Sequence, residues 1–259
     1  MRRMRALACA ALFAAPFLSG CAPRDSRDTL YQVSTFSCLL DGGYEGETDL
    51  GELRRHGDLG LGTFEDLDGE MVLLDGRPYQ IKSDGRAYAV DNSVRTPFAC
   101  VTFFDADETL ALPEGTDYEA FKKLLDEKFP TARVPYAIRL TGTFKSVKTR
   151  SVPKQRKPYP RLVEVVKDQP TFELTDVAGT LVGFCLPKSM EGVNVPGCHL
   201  HFLSADRSAG GHVLAFAARE AKVELDDSPE LKLVMPRRNA PAAAPAASAH
   251  GSEIERVER

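Results

Sequence analysis

At 259 residues the chain is long enough to bury a substantial core, and 43% apolar with 27% charged residues is the profile of an ordinary globular protein. The formal net charge of −4 excludes the basic surface that nucleic acid requires, so no nucleic-acid partner is expected. Beyond the N-terminus no apolar run is long enough to cross a bilayer.

In chain order, Arg2, Arg3 and Arg5 precede a short apolar stretch, Ala6 to Leu18, which makes residues 1–20 a secretory signal peptide. It ends in Leu18-Ser19-Gly20-Cys21, similar to the lipobox of bacterial lipoproteins, in which Cys21 is lipidated and becomes the first mature residue. Ala22 follows the cysteine, which suggests transfer to the outer membrane. The expected location is the bacterial cell envelope on the periplasmic side, held to the membrane by a lipid anchor only. Cys9 leaves with the signal, and Cys38, Cys100, Cys185 and Cys198 remain. An oxidising compartment permits disulfides, but the spacing dictates no pairing, and free buried thiols are the favoured reading.

Residues 31–153 read as an N-terminal β-rich domain and 154–236 as a C-terminal one. Gly42-Gly43, Asp68-Gly69, Asp75-Gly76 and Asp84-Gly85 are turn signals between short apolar or alternating runs. Two helices are predicted, a short one over Asp49–His56 and one over Asp117–Phe129 with Thr116 as N-cap. Phe98–Phe104, Tyr136–Leu140, Phe144–Val152, Leu162–Val166, Gly179–Phe184, Cys198–Leu203 and Val213–Ala218 read mostly as strands. A faint echo of LGLGTFEDLDGEMVLLDG in TFELTDVAGTLVGFCLP hints at two related β-sheet-rich halves, with Lys154–Pro160 as connector. The expected class is α+β, mainly β, with mixed sheets and few helices around one metal site. Residues 237–259 read as an Ala/Pro-rich linker and a solvated charged tail.

Three of the five histidines lie in Cys198-His-Leu-His-Phe-Leu-Ser-Ala-Asp-Arg-Ser-Ala-Gly-Gly-His212. Residues two apart on a strand share a face, so His199 and His201 would be neighbours, and a hairpin would bring His212 beside them. Three imidazoles with an open fourth position is the arrangement of a catalytic zinc site. Cys198 alternates to the opposite face, and His56 and His250 read as surface residues.

The segments YQVSTFSCLLDGGYEG (31–46), GDLGLGTFEDLDGEMVLLDGRPYQIKSDG (57–85), TPFACVTFF (96–104), YAIRLTGTFKSVKTRSVP (136–153), QPTFELTDVAGTLVGF (169–184) and GCHLHFLSADRSAGGHVL (197–214) resemble those of the alpha-acetolactate decarboxylase family, in order and spacing. The resemblance implies two β-rich halves around one zinc site (Zn2+), conversion of 2-acetolactate to acetoin and carbon dioxide, and a homodimer. It makes His199, His201 and His212 the zinc ligands, Glu70 and Arg150 catalytic, and Thr63 a pocket residue for the 2-hydroxy-3-oxo acid substrate. A tail glutamate completes the site, with Glu258 the best match and Glu253 and Glu255 the alternatives in register. By composition alone, Glu70 is a turn carboxylate and Arg150 one charge on a basic strand.

These residue types suit the reaction. Loss of carbon dioxide leaves an electron pair that must move into the adjacent ketone, and zinc chelated by the ketone and hydroxyl oxygens is a Lewis-acid sink for it. An arginine can hold a planar carboxylate, and a carboxylic acid with a raised pKa can return the proton. Two alternatives stay open on the histidines alone, a metal-dependent hydrolase and a non-catalytic envelope zinc-binding lipoprotein.

Overall fold

The Asp-Gly pairs turn the chain as their chemistry requires. At Asp75-Gly76 both residues have positive φ, the pattern of the two-residue turn that matches strand twist. The structure, a computed structural model, describes residues 28–129, 134–237 and 250–258; the expected signal peptide and lipidation at Cys21 fall outside the described residues. The elements are β1 (Thr29–Val33), α1 (Phe36–Leu40), β2 (Thr48–Asp49), α2 (Leu50–Leu53), β3 (Leu59–Thr63), β4 (Glu70–Leu74), β5 (Arg77–Ile81), β6 (Ala87–Ala89), β7 (Arg95–Thr96), β8 (Ala99–Thr102), β9 (Glu108–Leu112), α3 (Tyr118–Lys128), β10 (Tyr136–Arg150), α4 (Leu162–Val165), β11 (Thr171–Leu186), β12 (Gly197–Ser204), β13 (Gly210–Asp227), β14 (Glu230–Val234) and α5 (His250–Val257).

Two sheets carry the fold, which is mainly β with mixed pairing and few helices. One has seven strands in the order β14-β1-β8-β3-β4-β5-β6, antiparallel except for the parallel pair β1–β14. The other runs β10-β11-β12-β13-β9, and β10 also pairs with β13, so its pairings close on themselves. Alternation along each strand sends side chains to opposite faces. Tyr31, Met71, Leu73, Ala99 and Val101 of the first sheet pack with Leu50 and Leu53 of α2. Leu61, Val72 and Cys100 face the other way, into a core shared with Val182, Phe184 and Leu203 of the second sheet. The far face of the second sheet packs Leu181, Leu200, Phe202 and Phe216 against Phe121 and Leu125 of α3.

Several sequence expectations differ from this structure. The sheets do not divide at residues 153/154: β9 and β10 already belong to the second sheet, and β14 returns to the first. The internal echo has no common structure, because its first copy forms the β3–β4 hairpin and its second is part of the single 16-residue strand β11. Leu162–Val165 is a helical turn. Its β-branched content suggested a strand, but burying Leu162 and Val165, three apart, in the shared core overrides that propensity. Asp117, rather than Thr116, caps α3 by accepting from the Ala120 N–H, while the Thr116 hydroxyl donates to the Pro113 carbonyl. The tail is not solvated along its length: α5 buries Ile254 and Val257 in the shared core. His56 stacks flat on Tyr31, ring centroids 3.9 Å apart. Cys185 and Cys198 form a disulfide across β11 and β12, whereas Cys38 and Cys100 are buried thiols outside any disulfide among the described residues.

Asp226, near the end of β13, is 1% exposed and close to Asp28, Asp105 and Asp107. Burial, reinforced by these carboxylates, pushes its pKa up to about 7. The folded state therefore binds a proton between about pH 4 and 7 that the unfolded chain has released, so stability falls as pH rises through that window. Asp226→Asn is expected to raise the melting temperature by several degrees at pH 8, on the order of 2 kcal/mol. Below about pH 4, where the unfolded carboxyl is also protonated, the two proteins should melt together, which calorimetry at about pH 8 and pH 3.5 checks.

Candidate active site

The site lies between the sheets. The β12–β13 ladder pairs His201 directly with His212, and β10 places Arg150 opposite His212. His199, two residues before His201, shares its face, and all three imidazoles are buried. From the first sheet, β3 and β4 supply Thr63 and Glu70, which are paired partners. The tail brings Glu258 from beyond α5. The sequence-predicted set of Thr63, Glu70, Arg150, His199, His201, His212 and Glu258 therefore lines one recess.

The histidine geometry fits a divalent metal. His199 Nε2 lies 3.2 Å from His201 Nε2 and 3.0 Å from His212 Nδ1. Ligand nitrogens around a tetrahedral zinc with bonds of about 2.0–2.1 Å are separated by about 3.3 Å. Burial drives the pKa of all three rings down, His201 to about 3, so each is neutral and offers a lone pair. His201 Nδ1 donates to the Met71 carbonyl at 2.8 Å, which leaves its Nε2 unprotonated and aimed at the other two. His199 Nε2 bears either a proton or a lone pair, so it cannot make two ordinary linear hydrogen bonds with neutral rings in this arrangement. A shared cation satisfies all three nitrogens at once.

Two carboxyl groups and a guanidinium surround the cluster. Arg150 Nη1 donates to Glu70 Oε1 at 3.0 Å, and Nη2 donates to the Val257 carbonyl at 2.7 Å, so one side chain ties Glu70 to the tail helix. Glu70 Oε2 is 3.5 Å from His201 Nε2. Burial raises the Glu70 pKa against the opposing pull of Arg150. Glu258 Oε2 lies 4.0 Å from His199 Nε2 and 3.8 Å from His212 Nε2, and burial pushes its pKa up to about 7. The tail register is thus Glu258 at the site. Glu253 forms a two-pronged ion pair with Arg161 at 2.8 Å, and Glu255 is exposed. Arg161 also holds Asp41 at 2.9 Å, which fastens α5 beside α1 and α4.

Thr63 lines the recess, but its hydroxyl donates to the Gly69 carbonyl at 2.7 Å and so braces the turn that presents Glu70. Gly69 has φ +85, and a Cβ there would meet the Ile81 carbonyl oxygen at 2.1 Å. Sequence reasoning missed the apolar wall, Phe36 and Leu39 of α1, Phe98, and Leu162 of α4. The signal for α1 was Thr35, whose hydroxyl accepts from the Cys38 N–H as an N-cap. No such signal marks α4, where Arg161 makes no side-chain cap.

Gly183 of β11 passes so close to β12 that a Cβ would sit 2.0 Å from the His199 carbonyl oxygen. Gly183→Ala must therefore displace the strand that carries His199. Misplacement of about 1 Å costs roughly 10²-fold in rate, and the variant's kcat should fall by about that much while its folded circular-dichroism spectrum is retained.

The family model for alpha-acetolactate decarboxylase matches residues 30–244. The alpha-acetolactate decarboxylase of Methylococcus capsulatus is 48% identical over 207 residues, covering 80% of each chain. The enzyme of that name from Bacillus subtilis has a crystal structure that superposes with a TM-score of 0.85 at 39% identity, covering 89% of this chain and 99% of the other. A Staphylococcus aureus protein described as similar to alpha-acetolactate decarboxylase also superposes at 0.85, with 30% identity over 89% of this chain and 100% of its own. On the family match, the extent of identity and the shared fold, this chain belongs to the alpha-acetolactate decarboxylase family.

Proposed function

We propose that the chain catalyses zinc-dependent decarboxylation of 2-acetolactate to acetoin and carbon dioxide, with His199, His201 and His212 holding the metal. The observation that carries this reading is the convergence of three neutral imidazoles, a buried guanidinium and two carboxyl groups of raised pKa in one recess. Bound there, zinc supplies a Lewis-acid sink for the electron pair released when the carbon–carbon bond to carbon dioxide breaks. Arg150 keeps Glu70 in place, and its buried Nε–H, which lacks a protein partner, is a donor for the substrate carboxylate. Glu70, protonated more readily than an ordinary glutamate, delivers the proton that replaces carbon dioxide on carbon. Glu258 assists as the second acid and closes the recess. Phe36, Leu39, Phe98 and Leu162 receive the methyl groups and exclude water.

The test is production of acetoin and carbon dioxide from racemic acetolactate by the purified chain. Steady turnover supports the reading. Metal binding with no turnover of any 2-hydroxy-3-oxo acid points to zinc capture instead.

The location belongs to the same proposal. Leu18-Ser19-Gly20-Cys21 after an arginine-led apolar stretch supports lipidation at Cys21, and the Cys185–Cys198 disulfide suits an oxidising envelope compartment. The enzyme would then act on substrate outside the cytoplasm. Mass spectrometry of the mature N-terminus should find an acylated Cys21; an unmodified chain beginning elsewhere would contradict this.

A further inference from the structure

Of the three imidazoles, only His201 has a hydrogen-bond partner for its outer nitrogen; His212 Nε2, like His199 Nδ1, has none, but His212 sits on β13 with ladders to both β10 and β12. His201 is oriented by its Nδ1 bond to the Met71 carbonyl, the usual outer partner of a metal-binding histidine. His199 Nδ1 is buried and has no hydrogen-bond partner. Its ring orientation must come from its backbone, yet that backbone lies where β12 is least supported. The β12–β13 ladder covers only residues 201–203 of β12, so at Cys198 and His199 the strand has a ladder on the β11 side alone.

Cys198 carries two further ties at that point. Its sulfur bonds to that of Cys185, its direct partner on β11. On the other side, the hydroxyl of Tyr118 in α3 donates to the Cys198 carbonyl at 2.7 Å. Tyr118 is itself packed on Phe216, ring centroids 5.5 Å apart. Burial first, then the charge of Glu258, raises the pKa of this hydroxyl, so it stays a donor over the working pH range. Strand alternation turns the Cys198 side chain away from the imidazoles, into the core under α3, so the sulfur is no ligand.

We propose that Cys198 is a two-sided anchor for His199: the disulfide to Cys185 and the hydrogen bond from Tyr118 position that imidazole for the metal. Cys185, Cys198 and Tyr118 are positioning residues, and the proposal rests on the three histidines holding a divalent ion. Loss of an orienting contact around a metal ligand weakens metal affinity by roughly 10–100-fold. One hydrogen bond of about 1 kcal/mol corresponds to about fivefold.

The test compares the full chain with its Cys185→Ala/Cys198→Ala and Tyr118→Phe variants. Zinc dissociation constants are measured by competition with a chromophoric chelator, the visible spectrum of the cobalt-substituted proteins is recorded, and the metal-free proteins are melted. The double variant should bind zinc 10–100-fold more weakly and Tyr118→Phe about fivefold more weakly, with altered cobalt spectra. Unchanged affinity and spectra with only a lower metal-free melting temperature would overturn the anchor, leaving the disulfide a structural staple. If the double variant does not fold, Tyr118→Phe, which keeps the disulfide, decides on the same readouts. A wild type that binds no divalent metal would overturn both the anchor and the metal-site reading; binding that is equal in all three proteins overturns the anchor alone.

Discussion

Arg150→Met is expected to abolish most activity and to lower the melting temperature by roughly 10 °C. The guanidinium is buried, and it bonds to Glu70 on one side and to the Val257 carbonyl on the other. Removing one member of a buried ion pair costs about 3–5 kcal/mol, because the remaining charge loses its partner. In a domain of this size each kcal/mol is worth about 2–4 °C. Glu70 would respond by taking up a proton, and α5 would lose the contact that holds its C-terminal end over the recess. Thermal melts and a proteolysis time course at the tail check both effects. Arg150→Lys should recover only part of the loss, since a single ammonium cannot span both acceptors with the same geometry.

Glu70→Gln has the larger effect on rate. The amide keeps the size of the side chain and can still accept from Arg150, so the fold and the metal content should be unchanged. It cannot deliver a proton, and loss of a general acid typically costs about 10²–10⁴ in kcat. Glu258, farther from the nearest imidazole nitrogen than Glu70, is the second acid, so Glu258→Gln should cost less. A Glu70→Gln rate within tenfold of wild type, with a severe loss in Glu258→Gln, would exchange the two roles.

Much of the site could be read from the sequence, for a physical reason. Strand periodicity alone puts His199 and His201 on one face, and a Gly-containing turn returns His212 beside them, as the ladder confirms. Glu70 and Arg150 came from resemblance, because an Asp-Gly-Glu turn or a lysine-rich strand carries no sign of burial. What escaped was long-range. α1 and α4 are too short for a helical period to register, and α4 folds only because its two apolar residues meet the tail helix and the shared core. The tail offered two apolar residues, too few to mark it as buried until Arg161 and Arg150 are placed beside it. The disulfide depends on register, since Cys185 and Cys198 face each other only once β11 and β12 align. Composition marks Lys154–Pro160 as an exposed crossing but carries no sign that β10 before it and β11 after it pair in the same sheet.

The central claim is that one metal ion held by His199, His201 and His212 carries the decarboxylation. Its most direct test is acetoin production from acetolactate by metal-depleted protein as zinc is added back in known amounts. The account predicts that depleted protein is inactive, that activity rises linearly to one zinc per chain, and that His201→Ala neither retains the ion nor recovers. Full activity in protein shown to be free of metal, or recovery that ignores loss of these histidines, would contradict it.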